Sequence, residues 1–446
     1  MKVIRKRIIT KVRKQRFVEQ RSLEFQAILV GGLAGLAGVF FQLGIAQVAF
    51  QKKQLAFNIS QWAMPSWFWS GVLSMFMLLI SLALVRYFSP ESSGSGIHEI
   101  EGYLGGSRPA IWQRVLPVKF FGGILALGSG MILGREGPSV QMGGNCGAMV
   151  NHFANHDRQD TGHALLSAGA AAGLAAAFNA PLAGMIFIME EMRTPFHYNF
   201  FNIRLIAIAT LIATLITHIF IDEPVALPSP VYAMPAWHEM FLYLIMGAVI
   251  GIAGALLNRG IILGLKWMDA LKENPKYIYS FIAFLGFFIG ILNFFQPDLI
   301  GNNYQLVKQS LGGSIAIQGL ALIILIRFFF SIVCFCSGVP GGIFAPMIVL
   351  GTLLGLWCGH LAAIVAPEIT QNPYPFAIAG MGALFAATVQ APITGIVLVV
   401  EMTSNYSLIV PIMIACVGAD ILAHELGTRP LYSVLLKRQL NKAKRQ

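Results

Sequence analysis

Apolar runs of roughly 20 residues recur along this chain, from Ala27 to near Ala423. About 20 consecutive apolar residues are what an α-helix needs to cross the hydrocarbon core of a bilayer. Hydrophobic residues make up 56% of the 446 residues and charged residues only 11%, whereas charged residues are about a quarter of an ordinary soluble protein. The expected fold class is therefore an all-α polytopic membrane protein, with the whole chain in one integrated membrane domain.

The net charge of +11 is concentrated at the two ends of the chain. The basic side chains are Lys2, Arg5, Lys6, Arg7, Lys11, Arg13, Lys14 and Arg16 before the first span, and Lys437, Arg438, Lys442, Lys444 and Arg445 after the last. By the positive-inside rule, both termini are expected in the cytoplasm, with an even number of full crossings. The basic start is too long, and the span after it too complete, for a cleavable signal peptide. Without interleaved aromatic residues or a folded basic domain, we expect no nucleic-acid partner.

Residues 129–143, with the sequence SGMILGREGPSVQMG, place a charged pair, Arg135 and Glu136, inside an apolar region. A carboxylate at membrane depth costs about 2.5–3.5 kcal/mol on insertion scales and usually has a function. Pro138 suits the first turn of a helix, and Gly134 and Gly137 allow the backbone before it to break. The stretch predicts a broken helix whose N-terminus attracts anions. The alternative is a helix-capping glutamate in an interfacial loop.

The second half of the chain repeats the first in three blocks, in the same order. Gly31, Gly35 and Gly38 correspond to Gly247, Gly251 and Gly254; Gly134, Pro138 and Gly143 to Gly342, Pro346 and Gly351; and Ala180, Pro181, Gly184 and Glu190 to Ala391, Pro392, Gly395 and Glu401. The three offsets are 216, 208 and 211 residues. Interrupted helices at matching places in two repeats are typical of a transporter with a site at the midplane of the bilayer.

An odd number of crossings in each half would make the two repeats inverted and would aim both sets of helix N-termini at the centre. The predicted division of the chain has a basic cytoplasmic N-terminal helix (1–24), a first repeat (25–221), an extracytoplasmic loop (222–240), a second repeat (241–435) and a basic cytoplasmic tail (436–446).

Four motifs in this order resemble the signature set of the CLC family of chloride channels and chloride/proton exchangers. They are Gly-Ser-Gly-Ile at 94–97, Gly-Arg-Glu-Gly-Pro at 134–138, Gly-Ile-Phe-Ala-Pro at 342–346 and the late Tyr432. The resemblance runs from about residue 25 to about residue 435 and is greatest to bacterial exchangers, which lack cytoplasmic regulatory domains. It implies a homodimer in a bacterial inner (plasma) membrane, with one pathway in each subunit.

The resemblance also implies the residues of an anion site. A central chloride would be held by the hydroxyls of Ser95 and Tyr432 and by the backbone N–H groups of Ile343 and Phe344. Neutral donors suit transport, because a fully desolvated Lys or Arg could hold chloride too tightly for turnover. Family members that prefer nitrate often carry proline in place of the serine, so Ser95 favours chloride.

Glu136 matches the family's gating glutamate. When ionised, its carboxylate can occupy the anion's place at the helix N-terminus, and when protonated or displaced it opens that place. Glu191 matches the glutamate that takes protons from the cytoplasmic side in exchangers, and its presence favours exchange over passive conduction. The alternative for Glu191 is a helix-end salt bridge with Arg193.

Three neighbouring charges are given structural roles. Glu190 is expected to serve packing or hydrogen bonding at its helix end, and Glu401, its repeat partner, is expected to be structural. Arg135 is predicted to donate hydrogen bonds to nearby carbonyl groups or to form a structural ion pair, not to bind the anion.

One position departs from the pattern of the family. The first motif usually continues with proline, and His98 stands there instead. A histidine near the mouth of the pathway could add pH dependence to transport. The alternative is a tolerated substitution without effect.

Two other functions are alternatives for this sequence. A passive chloride channel has the same fold, and Glu191 is the feature that argues against it. An intramembrane serine hydrolase could use Ser129, with His152, His163 or His218 as base, but no spacing specifies such a pair. We therefore expect no enzyme activity, no metal site and no cofactor, and chloride, protons and the lipid bilayer as partners.

Overall fold

The computed structural model describes residues 2–61, 64–154, 159–192, 199–221, 227–300, 303–313, 317–370 and 372–444. Within these residues the chain is helical apart from short turns, which confirms the predicted all-α fold class. The helices of the first half are α1 (Lys2–Ser60), α2 (Ser66–Phe88), α3 (Ile97–Leu104), α4 (Trp112–Gly128), α5 (Glu136–Phe153), α6 (Gln159–Phe178), α7 (Pro181–Glu191) and α8 (Phe200–Phe220).

The second half contains ten helices among the described residues. They are α9 (Met240–Lys272), α10 (Pro275–Phe295), α11 (Pro297–Ile300), α12 (Asn303–Leu311), α13 (Ile317–Cys336), α14 (Phe344–Val365), α15 (Tyr374–Val389), α16 (Pro392–Thr403), α17 (Ile409–Glu425) and α18 (Leu431–Ala443). Short 3₁₀ turns lie at Pro90–Ser92, Trp237–Glu239 and Tyr406–Leu408.

Nine helices of the described chain are long and apolar enough to cross a membrane. Most of them bury only a third to a half of their residues and leave the rest to face outward, as a lipid-facing helix does. The Ala-rich α6 is different, because 89% of its apolar window is buried, and in α15 every residue from Pro375 to Val389 is buried. These two equivalent helices form the packed centre of the protein.

Two of the predicted boundaries do not coincide with breaks in the helices. α1 runs through 59 residues without interruption at residue 24, so the basic start and the first apolar segment form one helix. The basic tail from residue 436 is likewise part of α18, which continues to Ala443. Of the predicted loop 222–240, residues 222–226 lie outside the described chain.

The repeated glycines make equivalent contacts in the two halves. In the first half, a Cβ atom at Gly31 would lie 2.4 Å from the carbonyl oxygen of Ala209, and one at Gly35 would lie 3.0 Å from the Cα of Ala213. The same contacts recur in the second half, between Gly247 and Ala415 and between Gly251 and Ala419. Small residues therefore bring α1 against α8 and α9 against α17 at backbone distance, as expected for closely packed membrane helices.

Equivalent helices of the two halves run antiparallel. Glu190, in the last turn of α7, accepts hydrogen bonds from the N–H groups of Ile393 (3.1 Å) and Thr394 (2.6 Å), in the first turn of α16. Glu401, in the last turn of α16, accepts hydrogen bonds from the first turn of α7, at Leu182 (3.0 Å) and Ala183 (2.7 Å). Each helix thus caps the start of its repeat partner, and this arrangement is that of inverted repeats.

Replacing Gly143 by Ala should destabilise the fold by about 1–3 kcal/mol or more, because the new Cβ would overpack the contact between α5 and α6. That atom would lie 2.1 Å from the carbonyl oxygen of Gly169. Thermal unfolding of the detergent-purified protein, followed by size-exclusion chromatography, measures the change. Gly319→Ala is the matched control, because a Cβ there meets nothing within 4 Å and alanine favours a helix by up to about 1 kcal/mol. Equal melting temperatures for the two variants would contradict the prediction.

Candidate anion-transport site

Three breaks in the helices meet at one point in the protein. Gly94 donates to the carbonyl of Val339 (3.2 Å) and accepts from the N–H of Gly341 (3.0 Å). Gly134 and Gly342, which occupy equivalent positions in the two repeats, exchange a pair of hydrogen bonds of 2.7 and 2.8 Å. These contacts bring together the starts of α3 and α5, from the first half of the chain, and the start of α14, from the second half.

The starts of these helices carry backbone N–H groups that no intrahelical carbonyl can accept. Together with the helix dipoles, they make the meeting point electropositive. α3 begins after Gly96, whose φ of +84° favours glycine. α14 begins at Phe344, directly after Ile343, and the ring of Phe344 packs against Phe178 and Phe385 at centroid distances of 4.9 and 4.5 Å. This packing anchors the first residue of α14 in the core.

Glu136 is fully buried at this meeting point. Its Oε2 accepts a hydrogen bond from the backbone N–H of Ala345 in the first turn of α14 (3.3 Å), and its Oε1 accepts one from the hydroxyl of Tyr304 (2.5 Å). A Cβ at Gly134 would lie 2.1 Å from Oε2, so the bare glycine backbone makes room for the carboxylate. The carboxylate therefore lies where an anion would bind to the helix start.

Ser95 and Tyr432 lie together on the other side of the α5 start. Both side chains are fully buried, and they are close enough to interact with each other. A Cβ at Gly137 would lie 2.2 Å from Ser95 Oγ, which places that hydroxyl against the first turn of α5. Among the described residues neither hydroxyl has a hydrogen-bond partner of ordinary geometry. An unpaired buried hydroxyl costs about 1–3 kcal/mol, so this pair suits an anion ligand.

Tyr432 is held in place by ion pairs and hydrogen bonds of its own helix. Arg438 of α18 donates to the carbonyl of Leu265 (2.8 Å) and pairs with Asp269, both on α9. Ser433 donates to Glu101 of α3 (2.9 Å). The tyrosine is thus fixed between the second repeat and the helix that follows Ser95.

Lys119 holds the Ser95 loop, a positioning role that the sequence did not predict. Its buried ammonium group donates to the carbonyls of Ser92 (3.1 Å) and Gly94 (2.6 Å). It therefore fixes the loop that carries Ser95 and brings a positive charge near the site without touching the anion. A lysine within the otherwise apolar α4 was the available signal.

Two cavities lead to the meeting point. One, of about 440 Å³, is lined by Glu136 and Tyr304 and by the basic side chains Arg135, Lys52 and Lys308. The other, of about 500 Å³, is lined by Gly94 and His98 and by the basic side chains Arg86, Arg108, Arg438 and Lys442. The second cavity is also lined by Glu91 and Glu99, but basic side chains outnumber carboxylates in both linings. An excess of one charge in a cleft raises the local concentration of the opposite ion, so both cavities favour anions. We call them the Glu136 cavity and the Gly94 cavity.

Glu191 lies apart from Glu136, at the C-terminal end of α7. Its side chain is only 8% exposed and is near enough to Tyr432 for an electrostatic interaction. Arg193, with which Glu191 would form the alternative helix-end salt bridge, lies outside the described residues.

The structural roles expected of three charged residues are confirmed. Arg135 donates to the carbonyl of Ala177 (3.0 Å), while Glu190 and Glu401 bind the helix starts described above. Ser129, the serine of the hydrolase alternative, donates to the carbonyl of Ala126 (2.7 Å) at the end of its own helix.

His98 is buried on α3, which lies outside the candidate spans. Its Nε2 is 2.8 Å from the amide nitrogen of Gln439. Burial and the positive charges of Lys119, Arg108 and Arg438 lower the pKa of the imidazole to about 3. This environment favours a neutral histidine and therefore the alternative of a substitution without a pH effect.

Comparison with known proteins agrees with this geometry. Residues 76–424 match the family described as voltage gated chloride channel. The chain belongs to the voltage-gated chloride channel family.

Relatives within this family are bacterial transporters that this chain matches over most of their length. The chain is 44% identical to the H(+)/Cl(-) exchange transporter ClcA of Vibrio parahaemolyticus, over 96% of this chain and 93% of the relative. It is 45% identical to the transporter of the same name from Cronobacter sakazakii, over 93% and 89%. A crystal structure of a slow cyanobacterial Cl-/H+ antiporter superposes with a TM-score of 0.90 at 36% identity, over 94% of this chain and 98% of that one.

Replacing His98 by Pro should leave the pH profile of transport unchanged. With a pKa of about 3, the imidazole of this family member carries no proton between about pH 4.5 and 7.5, so removing it removes no titration in that range. Chloride flux from liposomes across this range measures the profile. A shift of the profile in His98→Pro would show that His98 does titrate during transport.

Replacing Glu401 by Ala should lower the free energy of unfolding by about 1–2 kcal/mol, since two N–H groups at the start of α7 lose their acceptor. Proton coupling should persist in liposomes. The exposed Glu368→Ala variant serves as the control for both stability and flux. Loss of coupling at unchanged stability would assign Glu401 to proton transfer instead.

Proposed function

We propose that this protein is a secondary active chloride/proton antiporter, driven only by the two ion gradients. The observation that carries the proposal is the position of the Glu136 carboxylate. It lies at the start of α14, between the Glu136 cavity and the buried hydroxyls of Ser95 and Tyr432. The carboxylate of Glu136, which can take up a proton, thus occupies a place that suits a transported anion.

The transported anion in this proposal is chloride, bound by neutral donors. Ser95 and Tyr432 supply hydroxyl hydrogens, and Ile343 and Phe344 supply backbone N–H groups at the start of α14. The nearby cations already donate to carbonyl oxygens, Lys119 to Gly94 and Arg135 to Ala177. They raise the local potential without binding chloride directly, and the ion remains able to leave.

Glu136 is proposed as the gate. The ionised carboxylate competes with chloride for the same N–H groups, because both are anions at a helix start. A protonated carboxyl group no longer gains from the positive helix end, so it can leave and open that place to chloride. Opening the gate therefore takes up a proton, and closing it releases one.

Glu191 is proposed to carry protons between the protein interior and the cytoplasm. It is a nearly buried carboxylate on a different helix from Glu136, and both interact electrostatically with Tyr432. A second internal carboxylate gives protons a route separate from that of chloride, as exchange requires. The passive channel of the same fold needs no such group, and the named relatives are exchangers.

The proposed transporter is a homodimer in a bacterial inner membrane, with one pathway in each subunit and both termini in the cytoplasm. Three helices, α8, α16 and α17, present apolar side chains to the outside. They include Leu211, Leu215, Ile219, Ile393, Met413, Val417 and Ile421. These side chains need lipid or a second subunit to cover them.

The test is proton movement in liposomes that contain the purified protein, driven by a chloride gradient under a potassium/valinomycin clamp. The unmodified protein should move protons uphill. Glu191→Ala should abolish proton movement while chloride flux persists, and Glu136→Gln should remove both the coupling and the pH dependence of chloride flux. Glu273→Ala, which removes an exposed carboxylate directly after α9, is the control and should behave as the unmodified protein.

Chloride flux without proton movement in the unmodified protein would make it a channel and would leave Glu191 structural. Absence of chloride flux, under conditions in which one of the named relatives is active, would overturn the proposal altogether.

A further inference from the structure

The two carboxylate oxygens of Glu136 are held by different elements of the fold. Oε2 accepts from the backbone of α14, and Oε1 accepts from the hydroxyl of Tyr304 on α12, at 2.5 Å. An O–H donor to an ionised carboxylate forms a charge-assisted hydrogen bond, and 2.5–2.7 Å is the ordinary length of such bonds. Tyr304 belongs to none of the sequence motifs and lies 168 residues from Glu136 in the chain.

The ring of Tyr304 is positioned by Arg135 and by the anchoring of its helix. The guanidinium group of Arg135 lies over the ring, 5.3 Å from the centroid, at a distance typical of a cation–π contact. α12 itself is anchored by the buried side chains of Leu306, Val307 and Leu311. The donor therefore stays at the carboxylate without depending on a mobile side chain.

Other charged and titratable groups face the carboxylate from each neighbouring element. Arg135 directly precedes it as the N-cap of α5. Lys308 lies one turn after Tyr304 on α12, and Lys52 and Lys53 of α1 line the Glu136 cavity. Tyr432 interacts with the carboxylate electrostatically from α18. The ammonium group of Lys52 donates to the carbonyl of Ser129 (2.7 Å) and to Ser74 Oγ (3.2 Å). Of these groups, the described structure shows Tyr304 as the side chain that donates a hydrogen bond to Glu136.

We propose that Tyr304 is the latch of the gate, a positioning residue that holds the ionised Glu136 carboxylate at the start of α14. The proposal rests on the gating role proposed above for Glu136. Each opening must break the hydrogen bond from Tyr304, so the latch lowers the rate of chloride transport. Because this bond favours the ionised carboxylate, the latch also moves the opening of the gate to more acidic solution.

The decisive variant is Tyr304→Phe, which keeps the ring beneath Arg135 and removes only the hydroxyl. Chloride turnover at saturating chloride should rise about tenfold, which corresponds to about 1.4 kcal/mol. The pH midpoint of chloride flux should move upward by about one unit, because the carboxylate without its donor is protonated in less acidic solution. Chloride efflux from liposomes, measured between about pH 4.5 and 7.5, gives both quantities. Tyr277→Phe, an exposed tyrosine on α10 (62% exposed), is the matched control.

A second pair of variants separates a latch from a general structural role. In a Glu136→Ala background no side-chain oxygen is left to accept from Tyr304, so adding Tyr304→Phe should change neither turnover nor the pH profile. Such a double-mutant cycle isolates the interaction between the two side chains. An equal rise in turnover in both backgrounds would mean that Tyr304 acts on the fold and not through Glu136, and it would overturn the proposal.

The remaining outcomes distinguish the latch from the function on which it rests. If Tyr304→Phe behaves as the unmodified protein while Glu136→Gln abolishes coupling, the gate stands and the latch is wrong. If Glu136→Gln leaves coupling and pH dependence unchanged, the gating role of Glu136 fails, and the latch fails with it.

Discussion

Backbone N–H groups at the starts of α3, α5 and α14 meet in the middle of the protein, where their own helices offer them no acceptor. Leaving such groups unpaired away from water is costly, and an anion satisfies them without any charged side chain. The carboxylate of Glu136 already meets this need at the start of α14. In the proposed function, a transported anion competes with this carboxylate for the same place, and protonation of Glu136 opens that place.

This convergence is possible because the halves run in opposite directions. Helix starts from two parallel repeats would face the same side of the membrane and could not all point at one centre. The paired hydrogen bonds of Gly134 with Gly342, and the exchange of caps by Glu190 and Glu401, hold the halves in antiparallel register. Close contacts between glycine and alanine residues let the backbones of the surrounding helices approach each other, and this allows the two halves to pack in the antiparallel arrangement.

The positively charged side chains near the site donate hydrogen bonds to other groups of the protein. Lys119 donates to Gly94, Lys52 to Ser129 and Arg135 to Ala177, each to a backbone carbonyl oxygen. The cations thus fix the loops that surround the site while they contribute to its potential. In the proposed function, an anion attracted by this field is bound by neutral donors and remains able to leave.

The sequence by itself determined the membrane class, the duplication and the broken helix at Glu136, because each depends on local composition, spacing or the chemistry of neighbouring residues. It also predicted structural roles for Arg135, Glu190 and Glu401. Only the tertiary structure decided which distant groups meet them: Tyr304 reaches Glu136 from a helix outside every motif, and Lys119 reaches the Ser95 loop. The physical reason is that these partners are joined by packing between helices far apart in the chain, and such packing leaves no periodicity or spacing that a sequence could display.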